Sequence, residues 1–136
     1  MTALSLLAIL PMLIMAQCNG GESACPCIQR PTFDATWLQT NWPDVYAPFK
    51  DSVIQSPTVT YGANNTCDEI RVECPADFRV GSFNLTTHQV KFDSERFPNP
   101  VVLRKLTCYE NAWYDEGQPE SIDENLKSNS LGCFKP

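Results

Sequence analysis

In Cys67-Asp68-Glu69-Ile70-Arg71-Val72-Glu73-Cys74, the stretch from Asp68 to Cys74 alternates. Ile70, Val72 and Cys74 point one way, and Glu69, Arg71 and Glu73 point the other. A period of two with one apolar and one charged face is the pattern of a half-buried strand in an antiparallel sheet. Upstream, Thr58-Val59-Thr60-Tyr61 reads as a strand stopped by the turn cluster Gly62-Ala63-Asn64-Asn65. Downstream, Phe78, Val80 and Leu85 suggest a strand broken near Gly81, and Gln89-Val90-Lys91-Phe92 suggests another. Beyond the turn at Pro98-Asn99-Pro100, residues 101–108 read as one strand ending at Cys108. Arg104 and Lys105 fall on its opposite faces, which leaves its inward side open. Short strands separated by turn signals predict an all-β fold, a small disulfide-stapled antiparallel β-sandwich over residues 58–136 with an irregular N-terminal segment.

Residues 17–57 form that cysteine- and aromatic-rich segment. Prolines at 31, 43 and 48 interrupt it, yet it carries Phe33, Trp37, Trp42, Tyr46 and Phe49. Phe33, Trp37 and Leu38 have helical spacing, so a short helix ending before Pro43 is expected. Two readings of the rings stand side by side. They cover one end of the core, or Trp37, Trp42 and Tyr46 form a partly exposed binding platform.

Residues 1–21 hold no charged side chain, and 3–15 are almost wholly apolar. That run is too short to cross a bilayer and has the length of a signal-peptide core. With Ala16 as the small residue at the cut, residues 1–16 read as a signal peptide, and the mature protein as secreted, with no membrane anchor.

Seven cysteines then remain: Cys18, Cys25, Cys27, Cys67, Cys74, Cys108 and Cys133. An oxidising compartment turns such a set into disulfides. Their spacings fit neither a zinc site nor a redox motif, so no metal and no cofactor is expected. Cys25 and Cys27, alternate residues of an extended segment, are badly placed to bond each other, and each should pin the segment to a different point of the core. Cys74 and Cys108 end two expected strands, which makes a bridge between those strands plausible, but the connectivity stays open. An odd count leaves one thiol free or intermolecular. Cys18, nearest the new N-terminus, is the candidate, and through it a disulfide-linked dimer.

The pattern resembles a family of small nematode secreted proteins, the six-cysteine domain of unknown function. Cys25-Pro26-Cys27 precedes the strand-borne pair Cys67 and Cys74, then Leu106-Thr107-Cys108-Tyr109-Glu110-Asn111-Ala112-Trp113 and a closing Cys133. The resemblance implies a disulfide-stapled extracellular β domain and carries no activity.

Charge narrows the function classes. Ten basic against 16 acidic residues give a formal net charge of -6, which disfavours phosphate-backbone binding and anionic membrane surfaces. The acidic run at 115–124 reads as a solvated loop without the ligand order of a calcium site. Within it Ser121 and Glu124 suggest a capping box ahead of Leu126. His88 is the only histidine and stands beside a turn, with no nucleophile motif in the chain. Asn64-Asn65-Thr66 and Asn84-Leu85-Thr86 are glycosylation acceptors. A non-catalytic binding or structural module, meeting an extracellular protein or glycan, is the leading expectation. Its rivals are a protease inhibitor presenting Pro98-Asn99-Pro100 or Ile28-Gln29-Arg30-Pro31, and a small hydrolase built on His88.

Overall fold

The computed structural model describes residues 25–136; the expected signal peptide over residues 1–16 and Cys18 lie outside them. Two short helices come first, α1 (Ala35–Asn41) and α2 (Pro43–Tyr46). Asp34 caps α1 by accepting the Trp37 N–H at 2.9 Å. Pro43 ends the helix, because the residue before a proline avoids the helical region, and Trp42 indeed sits at φ -140, ψ 65.

Strands follow: β1 (Val53–Gln55), β2 (Thr58–Thr60), β3 (Ile70–Glu73), β4 (Arg79–Asn84), β5 (Gln89–Lys91), β6 (Val101–Leu103), β7 (Leu106–Tyr109) and β8 (Ala112–Asp115). A helix, α3 (Asp123–Ser128), leads directly into β9 (Asn129–Lys135). All strand pairs are antiparallel, in a four-stranded sheet β1-β9-β4-β5, a three-stranded sheet β2-β3-β6 and the hairpin β7-β8.

The charged and apolar faces of β3 fall as the alternation requires: Ile70 and Val72 are each 1% exposed. They pack with Val101, Val80, Leu131, Cys133 and Trp113 in a core between the two larger sheets. A second core lies on the opposite face of the four-stranded sheet, where Phe33, Leu38, Ile54, Phe83 and Phe134 meet. The molecule therefore has three layers: the helical N-terminal segment, the four-stranded sheet and the three-stranded sheet.

Four expectations are corrected. A boundary between residues 57 and 58 does not divide this structure, since β1 pairs with β9 and Phe33 N–H donates to Leu131 O at 3.1 Å. Gly81 does not break a strand; β4 runs through it, and a Cβ there would meet the Phe134 ring at 2.6 Å. Residues 101–108 are two strands, because Lys105 turns the chain at φ 58 and β7 leaves to pair with β8. Ser121 sits outside the helix proper, its Oγ accepting the Asp123 N–H at 3.0 Å, and Ile122 is the capping residue.

The disulfides are Cys25–Cys67, Cys27–Cys108 and Cys74–Cys133, with Cα–Cα distances of 5.7, 6.0 and 5.5 Å. Cys25 and Cys27 pin the segment to two different points, as their spacing suggests. The Cys74–Cys108 link does not form. Register explains why: Ile70 faces Leu103 and Val72 faces Val101, so β3 brings Cys74 beside Asn99, whose Oδ1 accepts the Cys74 N–H at 2.9 Å. Cys108 is carried to the other end of the strand. Cys74 instead joins the two large sheets through Cys133.

Candidate functional site

The register of the four-stranded sheet decides the character of its inner face. Ser82 faces Lys91 and Leu131, and Asn84 faces Gln89 and Asn129. With side chains alternating across a strand, Ser82, Asn84, Gln89, Lys91 and Asn129 share the side turned toward the three-stranded sheet. Phe83 and Val90 take the other side, in the second core. At the Cys74–Cys133 end, by contrast, Val80, Leu131 and Cys133 fill the space between the sheets.

Across from that polar patch stand Ile70, Val72, Val101 and Leu103. Packed sheets ordinarily interdigitate apolar side chains from both inner faces. Here one apolar wall meets one hydrogen-bonding wall, and the two do not close on each other. Between them is a cavity of about 410 Å³, within the ~300–1,000 Å³ span of small-molecule pockets. Leu126 and Phe97 extend its apolar side, and Thr87, Lys91 and Arg96 are exposed around its mouth.

Arg30 lines the same cavity. It is 8% exposed, and its Nη1 donates to Leu126 O at 3.1 Å. Its backbone N–H donates to the Tyr61 hydroxyl at 2.7 Å. Among the described residues the ion pairs are Arg71–Glu73 and Arg104–Glu69, so Arg30 has no carboxylate partner. Burial pushes its guanidinium down to about 10, partly countered by the nearby Tyr61. Tyr61 is raised above its ordinary value, first by burial and against the pull of its bond from Arg30. At neutral pH Arg30 is a buried cation. A buried charge normally comes with a counter-charge, because desolvation is otherwise uncompensated. Among the described residues the cavity lining holds three cations, Arg30, Lys91 and Arg96, and no carboxylate, in a chain whose net charge is -6.

Of the residues singled out in the sequence as functional candidates, Arg30 (from the segment Ile28-Gln29-Arg30-Pro31) and Asn84 line the cavity, and the others lie elsewhere. Trp37, Trp42 and Tyr46 are half-buried and pack on the second core, covering its end. His88 lies in the turn after β4 at φ 59, with its ring 4.3 Å from that of Trp42; no carboxylate of the described residues bonds it. Asn99 is tied down, its Nδ2 donating to Cys74 O at 3.1 Å, and Ile28 O accepts the Trp113 indole N–H at 3.0 Å. The two inhibitor-loop candidates are thus held against the body at Asn99, Ile28 and Arg30. Asn64 is exposed in a turn at φ 55. Asn84 lines the cavity, half-buried, with Oδ1 accepting the N–H groups of Thr86 and Thr87 at 2.8 and 2.9 Å.

Among the described residues no group of three or more His, Cys, Asp or Glu is placed to hold a metal ion, and no helix is long and apolar enough to cross a membrane. No protein-family model, curated protein or solved structure matches this chain.

Proposed function

We propose that this chain is a secreted, non-catalytic binding protein that holds a small molecule between its two larger sheets. The observation that carries the reading is the mismatch of the walls, aliphatic on β3 and β6 and hydrogen-bonding on β4, β5 and β9, around about 410 Å³. Three disulfides fit folding in an oxidising compartment. They also serve binding, because a covalently tied frame keeps the walls apart without a ligand and lowers the ordering cost of association. This reading places recognition of an extracellular protein or glycan, and the half-buried aromatics of the N-terminal segment, in second place.

Native mass spectrometry of the oxidised protein, purified from a secreting eukaryotic host, tests the proposal. The expected result is a sub-kilodalton adduct that leaves on denaturation, or a rise in unfolding temperature with added small molecules. Absence of an adduct together with an unmoved transition across anionic, neutral and cationic probes overturns it.

A further inference from the structure

Resting on that reading of the cavity, we infer that its ligand is a small organic oxyanion with one apolar face, whose charged group lies against Arg30. The partner is defined by what the site lacks. Arg30 is 8% exposed, lines the cavity and has one side-chain hydrogen bond, from Nη1 to Leu126 O. A guanidinium carries five N–H donors in a planar fork that matches a carboxylate, so most of its donating capacity is unspent within the protein. Among the described residues no Asp or Glu lines the space.

The rest of the lining sets the remainder of the ligand. Val101, Leu103 and Phe97 offer an apolar wall backed by the buried Ile70 and Val72, while the facing side of β4, β5 and β9 offers carboxamides and a hydroxyl. A planar body with a ring face toward the aliphatic wall and a polar edge toward the carboxamides satisfies both. Lys91 and Arg96, exposed at the mouth, add a positive rim that draws an anion in despite the acidic character of the whole chain. A cation or a neutral apolar molecule leaves the Arg30 fork unmatched.

The test titrates the oxidised protein with hydroxynaphthoate, its neutral carboxamide and the corresponding aminomethyl naphthol, followed by ligand fluorescence and calorimetry. The acid is expected to bind about tenfold to hundredfold more tightly than the amide, the amine weakest, with the preference shrinking as salt rises. Arg30→Met should erase the preference for the acid over the amide, and Lys50→Met, which removes a charge outside the cavity, should not. If Arg30→Met does not fold, Lys91→Met combined with Arg96→Met reads the same preference from exposed positions and should reduce it several-fold. Acid and amide binding equally well to the parent protein, or the preference surviving both cavity variants, sinks the oxyanion assignment while leaving a ligand cavity in place. No binding by any of the three probes sinks the cavity reading and this inference together.

Discussion

Gly81 and Gly132 face each other directly across the two central strands of the four-stranded sheet. Both are on the side that carries the second core. A Cβ on Gly132 would stand 2.7 Å from the Phe33 ring, and one on Gly81 would stand 2.6 Å from the Phe134 ring. The pair clears a shallow trough into which Phe33, Phe134 and Phe92 lie, edge to face with one another at centroid distances of 5.8 and 4.9 Å. Rings, unlike the tip of a flexible chain, give way poorly. Gly132→Ala is therefore expected to cost about 1–3 kcal/mol through overpacking, read as a lower urea midpoint with unchanged slope. A neutral result would show that the helical layer shifts freely on the sheet.

The covalent links give a sharper test of topology. Peptide mapping without reduction should return Cys25–Cys67, Cys27–Cys108 and Cys74–Cys133. Replacing Cys74 and Cys133 together by Ala should lower stability by about 2–5 kcal/mol, since that link alone ties sheet to sheet over a separation of 59 residues.

Arg30 should contribute little to stability at neutral pH. Its guanidinium is held down at about 10 by burial, so the folded chain disfavours the charged form. The group's stabilising share is withheld below that value and returns as pH climbs past it toward the ordinary arginine range. Arg30→Met is expected to leave unfolding free energy at pH 7 within about 1 kcal/mol of the parent, or above it. Tyr61 has the opposite sign: its raised value stabilises the fold below 10.0 and the gain fades as pH rises further. Ultraviolet titration should show a late tyrosine phase, and Tyr61→Phe should remove that phase.

Sugar attachment should separate the two acceptor asparagines. Asn64 is exposed in its turn, whereas the Asn84 carboxamide caps its own turn and lines the cavity. Mass mapping after enzymatic deglycosylation is expected to find Asn64 modified and Asn84 bare. Full occupancy at Asn84 would mean a glycan at the cavity wall, and ligand binding would then have to be measured on both glycoforms.

The six described cysteines pair among themselves, which directs attention to Cys18 as the thiol available for a link between two copies. Secreted protein should run partly as a dimer on non-reducing gels, and Cys18→Ser should leave only monomer. A dimer that survives the substitution removes Cys18 from that role.

β3 was legible in the sequence because one of its faces is wet: Glu69, Arg71 and Glu73 mark the outside against Ile70 and Val72. β9 was not. It lies between two cores, with Ser130 through Phe134 all buried, and a strand covered on both faces has no alternation to detect. β4 is the same case in milder form, and Gly81 within it has the sequence look of a break. The cavity was hidden for a different reason. Ser82 and Asn84 are ordinary surface types until β9 is known to bring Asn129 beside them, 45 residues along the chain from Asn84. Arg30, 96 residues from its Leu126 acceptor, carries no local sign of being interior. The aromatic spacing of Phe33, Trp37 and Leu38 did foretell α1, since a helix laid on a sheet keeps a solvent side.

The position of β9 also sets a timetable for biogenesis. It is an inner strand of its sheet, yet it follows every other strand in the chain, so β1 and β4 emerge from the ribosome with their shared neighbour still unmade. Until β9 arrives, the nascent polypeptide has two unpaired edges, and Cys74 waits for its mate in the company of other thiols. Proteolytic loss of that one segment would unzip the sheet from its middle.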